Sequence, residues 1–254
     1  MIGQLQKANI NKPSNERRKS IPIESLEIAE AGYANGISTQ LKEIIDKGEH
    51  RSLNNEEKEK IISEASIHYG NFLNALGVNW KEDPNSMETP YRVAKSFVTD
   101  LYKGRYNLIT DISNFPGDKY KGIVLEKDIQ VVSQCSHHLQ SILGKCHIAY
   151  VPSEEGKVIG LSKMNYIVEH FSRRGSIQEQ LTMAIHNAIN KVVENNQGVM
   201  VTIHATHNCV SCRGVKHMGA SMITSEVSGV FADHTKTAKQ EVLIYMGLNL
   251  ETFR

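Results

Sequence analysis

The sequence lacks a long apolar run and an excess of charge of either sign. No segment approaches the roughly 20 consecutive apolar residues that a membrane-spanning helix needs, and the polar first 19 residues lack the apolar centre of a signal peptide. Lysine and arginine number 29 against 28 acidic residues, so the charge indicates neither a nucleic acid nor an acidic membrane as partner. We therefore expect a cytoplasmic protein that binds no nucleic acid and no membrane.

Cysteine is scarce too. The chain has four cysteines among 254 residues and no secretion signal, so metal ligation or burial in the core is favoured over disulfide bonds. The four are Cys135, Cys146, Cys209 and Cys212. Because histidines stand near them, these cysteines are candidates for a functional site.

Three regions follow one another along the chain. Residues 1–50 are polar and have no sustained periodicity, which predicts a partly flexible N-terminal extension. Residues 51–110 carry apolar residues at helical spacing and form a predicted helical region. Residues 111–254 combine short β-rich runs with a pair of amphipathic helices. This order of helices, strands, a helix pair and strands predicts an α+β fold.

Capping signals mark the predicted helices of the second region. Asn54 is a candidate cap, and Gly77 closes the apolar stripe that follows it. A second start signal lies at Thr89 and Pro90, where threonine can cap and proline suits the first helical position. We therefore expect one helix between 54 and 77 and another from 89 onward.

Two short strings carry the types of residue that bind zinc. CSHH at 135–138 places a thiol and two imidazoles within four residues, and HNC at 207–209 adds one of each. Zinc takes such ligands in a tetrahedron, often two from a short spacing and another from a distant element. In a strand ending near Cys209, His207 and Cys209 would share one face.

Spacing alone leaves two kinds of zinc site open. A closed structural site would use Cys135, His138, Cys209 and Cys212, and a catalytic site would leave a position for water. Against the closed site, about 70 residues separate its halves, and a continuing strand would turn Cys209 and Cys212 to opposite faces unless a turn formed at Ser211. An ordinary core or surface role is favoured for four other residues of these types, Cys146, His147, His186 and His204.

Several separated motifs, in the same order, resemble the GTP cyclohydrolase I family over roughly residues 55 to 245. They are TPYRVAK at 89–95, CSHH at 135–138, VIGLSK at 158–163, IQEQLT at 177–182, ATHNC at 205–209, RG at 213–214 and SGVF at 228–231. The resemblance implies the tunnelling fold over 111–254. In that fold antiparallel strands and helices from several subunits close into a barrel, usually a homodecamer with active sites at subunit boundaries.

The resemblance also implies a reaction and a metal. Zn²⁺ would be held by Cys135, His138 and Cys209, leaving one position for water and Cys212 uninvolved. GTP would be the substrate, and its imidazole ring would be opened with release of formate to give 7,8-dihydroneopterin triphosphate. C8 of guanine is a poor electrophile, so its attack by water needs a proton delivered to N7 by a group titrating near neutrality.

The same resemblance assigns the organic groups of the site. His137 and His207 stand at the family's positions for acid–base work near the guanine, with His137 as the candidate donor to N7. Glu179, with Gln178 beside it, is expected to accept hydrogen bonds from N1–H and the 2-amino group of guanine. The expected triphosphate-binding residues are Ser162, Lys163, Arg213 and Arg92, the first two at a helix start that favours phosphate.

Two positions depart from the family pattern. Ser136 stands where the family usually has an acidic residue, and Tyr166 stands where it often has an arginine, three residues after Lys163. Since a charge-assisted contact contributes about 1.5–3 kcal/mol, the missing guanidinium predicts weaker triphosphate binding, which Arg173 or Arg174 would have to compensate.

Two other functions remain open from the sequence. One is a tunnelling-fold relative of deazapurine metabolism, such as a nitrile reductase, which would need a free nucleophilic cysteine and NADPH. The other is a non-catalytic GTP-binding or structural zinc protein, whose signature would be a fourth protein ligand at Cys212.

Overall fold

The computed structural model describes residues 52–109, 112–153 and 157–247. The predicted extension, residues 1–50, lies outside these ranges. The N-terminal helical region contains α1 (Asn55–Ala75), α2 (Thr89–Ser96), a π-helical turn (Phe97–Leu101) and α3 (Lys103–Tyr106). The elements that follow are β1 (Asn114–Pro116), β2 (Val124–Gln134), β3 (Ser141–Val151), β4 (Lys157–Ile159), α4 (Leu161–Ser172), α5 (Gln178–Val192), β5 (Gly198–His207), α6 (Asn208–Ser211), β6 (Met222–Val227), a 3₁₀ turn (Gly229–Phe231) and α7 (Ala238–Tyr245).

Reciprocal local hydrogen bonds mark the start of α1, whereas α2 begins without a side-chain cap. The Asn54 side chain accepts from the backbone of Glu57, and the Glu57 side chain accepts from the backbone of Asn54, a reciprocal capping box. The predicted cap is therefore confirmed. For α2, the prediction that Thr89 is the N-cap residue was wrong by one position. Thr89 is already helical, and Glu88, the residue before it, makes no side-chain cap.

The main sheet has four antiparallel strands in the order β2-β3-β5-β6. A bulge between Glu126 and Ile129 interrupts the pairing of β2 with β3. The short strands β1 and β4 form a separate antiparallel pair. Strands and helices thus combine as the predicted α+β fold. Within the described ranges no helix has both the length and the apolar character needed to cross a membrane.

The helix pair α4 and α5 covers one face of this sheet. Alternate residues of the central strands point toward the helices and are almost completely buried, as the period of a strand requires. The apolar stripes predicted for both helices face them and are buried as well. The core between sheet and helices includes Val131, Ile142, Ile148, Val201, Ile203, Met164, Ile167, Leu181, Ile185 and Ile189.

The two ends of the sheet carry different predicted site residues. At one end Ile142 pairs with His207, the last residue of β5. At the other end the Tyr150 hydroxyl accepts a hydrogen bond of 3.1 Å from the backbone N–H of Ile159, directly before α4 begins. Because a strand rises about 3.4 Å per residue, the eight steps from Ile142 to Tyr150 separate these ends by roughly 27 Å.

Candidate metal centre

The first part of the site is the tight connection between β2 and β3. The backbone N–H of Cys135 donates to the carbonyl of Gln140 at 2.8 Å, and the N–H of Leu139 donates to the carbonyl of Cys135 at 2.8 Å. Leu139 adopts a positive φ of 52°, which turns the chain back toward β3. These bonds fold the loop so that His138 returns to the side of Cys135.

The second part follows β5. The strand ends at His207, near Cys209 as expected, but Cys209 lies in the helical turn α6, so the prediction that His207 and Cys209 share one strand face was wrong. The turn is held by a hydrogen bond of 2.9 Å from the N–H of Cys212 to the carbonyl of Asn208. Since His207 pairs with Ile142 at the start of β3, the turn lies beside the β2–β3 connection.

These two parts bring three ligand atoms together. One ligand atom each from Cys135, His138 and Cys209 lie within 4.8 Å of one another. Cys135 is buried, Cys209 is half-buried and His138 is exposed. Two thiols and an imidazole at this separation form a donor set that fits zinc, with one tetrahedral position left over.

Cys212 does not join this group. Among the residues that the structure describes, the only group of three or more candidate ligands consists of Cys135, His138 and Cys209. Cys212 is exposed at the end of α6, and its Sγ lies 3.8 Å from the Ser211 hydroxyl. The helical turn therefore separates the two cysteines of the CVSC string.

Arg213 and Glu179 carry charge near this group of ligands. Burial, together with the adjacent Cys135 thiol, raises the pKa of the Cys209 thiol, and Arg213 opposes this effect. A bound dication would reverse the balance, since the thiolate is the form that binds metal. Burial lowers the pKa of His207, while the carboxylate of Glu179 raises it. Glu179 and Arg213 thus act electrostatically on groups of this cluster.

The predicted acid–base histidines lie at the same end of the sheet. Nδ1 of His137 is 3.8 Å from the Cys135 Sγ, and its ring is exposed. Nε2 of His207 is 2.8 Å from Oε1 of Gln178. A parallel bridge between Cys135 and Ser176 brings the start of α5, which carries Gln178, beside the ligands.

Gln178 and Glu179 differ in exposure although they are adjacent. Gln178 is completely buried and Glu179 is exposed. The amide of Gln178 bonds to groups of β5 and β6, including the Thr224 hydroxyl, and Thr182 bonds to its backbone carbonyl. Sequence reasoning missed both threonines. Thr182 follows Gln178 by one helical turn and could have been found, whereas Thr224 is 46 residues away.

The predicted phosphate-binding residues of α4 lie at the opposite end of the sheet. Ser162 and Lys163 occupy the first turn of α4, as expected from the change of strand to helix. The Lys163 ammonium lies 5.6 Å from the centre of the Tyr166 ring. This end is the one where Tyr150 bonds to Ile159, so within one chain Lys163 lies far from the three ligands.

The arginines considered for the triphosphate occupy three separate places. Arg213 is exposed just after α6, and Arg92 on α2 forms an ion pair of 2.5 Å with Glu88. Arg173 and Arg174 follow α4 at its C-terminal end, about 15 Å along the helix from Lys163. Within one chain they therefore do not replace an arginine beside Lys163.

The architecture and the ligands define a class of protein, and sequence comparison defines the family. An α+β protein of the tunnelling fold carries a Cys₂His group that could bind a metal, beside two histidines. The chain belongs to the GTP cyclohydrolase I family, whose sequence profile matches residues 65–246.

Bacterial relatives named GTP cyclohydrolase 1 match over most of the chain. The protein of Flavobacterium johnsoniae is 40% identical over 186 residues, covering 71% of this chain and 79% of its own length. That of Pseudoalteromonas translucida is 40% identical over 184 residues, covering 70% and 96%. That of Actinobacillus pleuropneumoniae is 34% identical over 224 residues, covering 87% and 95%.

Proposed function

We propose that the protein is a zinc-dependent GTP cyclohydrolase I, which opens the imidazole ring of GTP and releases formate to give 7,8-dihydroneopterin triphosphate. The observation that carries the proposal is the approach of Cys135, His138 and Cys209 to within 4.8 Å. Three protein ligands leave a fourth position for water, which a closed structural site would fill with a fourth side chain. The family assignment supports the same reaction.

Each organic group has a task that its chemistry suits. Zinc at this site would supply Lewis acidity toward a bound water molecule. His137, exposed beside Cys135, donates a proton to N7 of guanine as C8 is attacked. His207 serves as the second proton-transfer group. Glu179, exposed at the start of α5, accepts from N1–H and the 2-amino group of guanine.

The separation of the sheet ends supports a site shared between subunits. Ser162 and Lys163 are placed to bind the triphosphate, yet roughly 27 Å of sheet separates their end from His207 in the same chain. A neighbouring subunit that presents its α4 start to this cluster would complete the site. Arg213 beside Cys209, and Arg92 of this or another subunit, would add charge for the triphosphate. A homodecamer is the assembly we propose.

A product assay tests the function. Zinc-loaded protein is incubated with GTP, formate is measured, and the pterin is oxidised to fluorescent neopterin. We expect both products in equal amounts, and Cys209→Ser should give neither. Zinc-loaded protein that binds GTP but yields no product would contradict the proposal. NADPH consumption with a deazapurine nitrile would indicate the reductase alternative. The cytoplasmic location stays a prediction from the sequence.

A further inference from the structure

We propose that Gln178 is a positioning residue, whose buried amide holds His207 in one orientation and in the tautomer that carries hydrogen on Nε2. The inference rests on the proposed function, in which His207 transfers a proton. Gln178 is the first residue of α5 and is completely buried. Its side chain is the link between this helix and His207 at the end of β5.

The orientation of the Gln178 amide follows from its surroundings. Nε2 lies 3.1 Å from the carbonyl oxygen of Ile203 and 3.1 Å from that of Met222. Carbonyl oxygens only accept hydrogen bonds, so the NH₂ group must face them. The reversed amide would set Oε1 against two carbonyl oxygens in a buried place, which is unfavourable. Oε1 therefore faces His207.

Two threonines support the same orientation. The Thr182 hydroxyl donates to the backbone carbonyl of Gln178 at 2.9 Å, which uses its only hydrogen. The Thr224 hydroxyl must then be the donor in its 2.6 Å contact with Thr182. That leaves Thr224 free to accept from Nε2 of Gln178 at 3.0 Å, through a hydrogen that it shares with one of the two carbonyl oxygens, since the NH₂ group has two hydrogens for three acceptors. The three hydrogen bonds run in one direction, from the Gln178 amide to Thr224, then to Thr182 and back to the Gln178 carbonyl. Hydrogen bonds linked in this way strengthen one another.

The fixed amide determines the state of the His207 ring. Oε1 of Gln178, 2.8 Å from Nε2 of His207, only accepts, so Nε2 carries a hydrogen. A neutral ring then has its free lone pair on Nδ1. Nδ1 is therefore the nitrogen of the His207 ring that can accept a hydrogen bond. Partners that fix a histidine tautomer in this way are a common support for reactive rings.

These contacts also give the adjacent residues Gln178 and Glu179 different roles. The NH₂ group of Gln178 donates to carbonyl groups of Ile203 on β5 and Met222 on β6, and its Oε1 accepts from His207. The side chain therefore already has partners within the protein. Glu179, exposed next to it, is the residue whose side chain is open to the guanine. We thus assign guanine binding to the Glu179 carboxylate and histidine positioning to the Gln178 amide.

Steady-state kinetics provide the first test. Gln178→Met keeps the side-chain length but removes both the acceptor and the donors. We expect kcat to fall by about 10- to 100-fold, the usual cost of losing such a supporting partner, while the KM for GTP and the zinc content stay close to those of the wild type. Gln180→Met, the same change on the same helix, should leave both constants unchanged. A raised KM with unchanged kcat would assign Gln178 to substrate binding and overturn the inference.

Nitrogen NMR gives a second test that needs no turnover. Zinc-loaded protein with ¹⁵N-labelled histidine is compared with a His207→Asn sample to identify the His207 signals in the solid state. We expect hydrogen on Nε2 and none on Nδ1 in the wild type, and loss of this single tautomer in Gln178→Met. A wild-type ring with hydrogen on Nδ1 alone would refute the positioning role. Because this result does not depend on formate release, it separates failure of the inference from failure of the proposed function.

Discussion

Cys209 and Cys212 are three residues apart, yet in the described part of the chain only Cys209 lies with Cys135 and His138. This difference makes a matched pair of variants. Cys209→Ser should weaken zinc binding by more than the roughly 10- to 100-fold that loss of an outer partner costs. Cys212→Ser should keep its zinc, because the Cys212 side chain contacts Ser211 instead. Metal analysis after dialysis checks both, and zinc loss from Cys212→Ser would support a closed four-ligand site.

Tyr166 lies under the Lys163 ammonium in the first turns of α4, at a position where an arginine would add charge for the triphosphate. We expect Tyr166→Arg to lower the KM for GTP by about tenfold, because a charge-assisted contact contributes about 1.5–3 kcal/mol. Tyr166→Phe keeps the ring over Lys163 and should not change the KM. An unchanged KM in Tyr166→Arg would show that the missing arginine does not limit binding.

His170 gives the protein a sensitivity to acid. Burial, and then the charge of Arg174, lower the pKa of His170 to about 3, whereas the unfolded ring titrates near 6.5. The unfolded state therefore takes up a proton first as the pH falls below 6.5, and stability is lost between about 6.5 and 3.

The variant His170→Gln can still accept from Arg174 but does not titrate. The free energy of unfolding should fall between pH 7 and pH 5 by up to about 2 kcal/mol more in the wild type than in this variant. Denaturant titrations at fixed protein concentration measure the difference, and His68→Gln on the exposed side of α1 is the control. Equal pH dependence in wild type and His170→Gln would disprove this assignment.

Among the elements, the link between α4 and α5 holds the start of α5 beside the candidate metal ligand Cys135. Gly175 in this link has φ of +72°, and a Cβ there would lie 2.7 Å from the Tyr102 ring. The next residue, Ser176, donates to the carbonyl of Gln134 at 3.0 Å and forms the bridge to Cys135. A shift of this link would therefore move the start of α5 relative to the ligands.

Alanine substitutions at two glycines with the same backbone conformation distinguish the cost of a left-handed backbone from the cost of a steric clash. Gly77 has φ of +74°, and a Cβ added there would meet no atom within 4 Å. Gly77→Ala should cost about 1–2 kcal/mol of stability for the left-handed backbone alone. Gly175→Ala should cost more, because the methyl group also meets Tyr102, and it should weaken zinc binding. Thermal unfolding and metal analysis compare the two, and equal losses of stability would mean that the Tyr102 ring moves aside freely.

At the scale of the whole molecule, one chain places its candidate metal ligands and its Lys163 at opposite ends of the sheet. If neighbouring subunits complete each site, two inactive variants should complement each other. Coexpressed Cys209→Ser and Lys163→Ala chains would then form mixed assemblies in which about a quarter of the sites are intact. Product formation by doubly tagged, purified assemblies measures this.

The matched control mixes Cys209→Ser with His138→Ala. Both changes affect the same half of the site, so this mixture should stay inactive whatever the assembly. Absence of activity in the first mixture as well, with both variants properly assembled, would show that each site is built from a single chain.

Features that depend on near neighbours could be predicted from the sequence. The capping box at Asn54 needs only Glu57, three residues later. The alternation of buried and exposed residues along the strands follows from the two-residue period of a strand, and the apolar stripes of α4 and α5 follow from the 3.6-residue period of a helix. The proximity of Cys135 and His138 likewise follows from a short loop. These features were predictable because their partners lie within a few residues, and the ordered motifs added the family.

Features that depend on distant partners could not be predicted from the sequence and became visible in the folded chain. The pairing of Ile142 with His207 brings Cys209 to Cys135, and the helical turn α6, which replaces the expected strand, leaves Cys212 aside. The contact of Gln178 with His207 spans 29 residues, and Thr224 lies on another strand. Strand register and helix packing set these distances, and both result from burial summed over the whole core rather than from any local pattern.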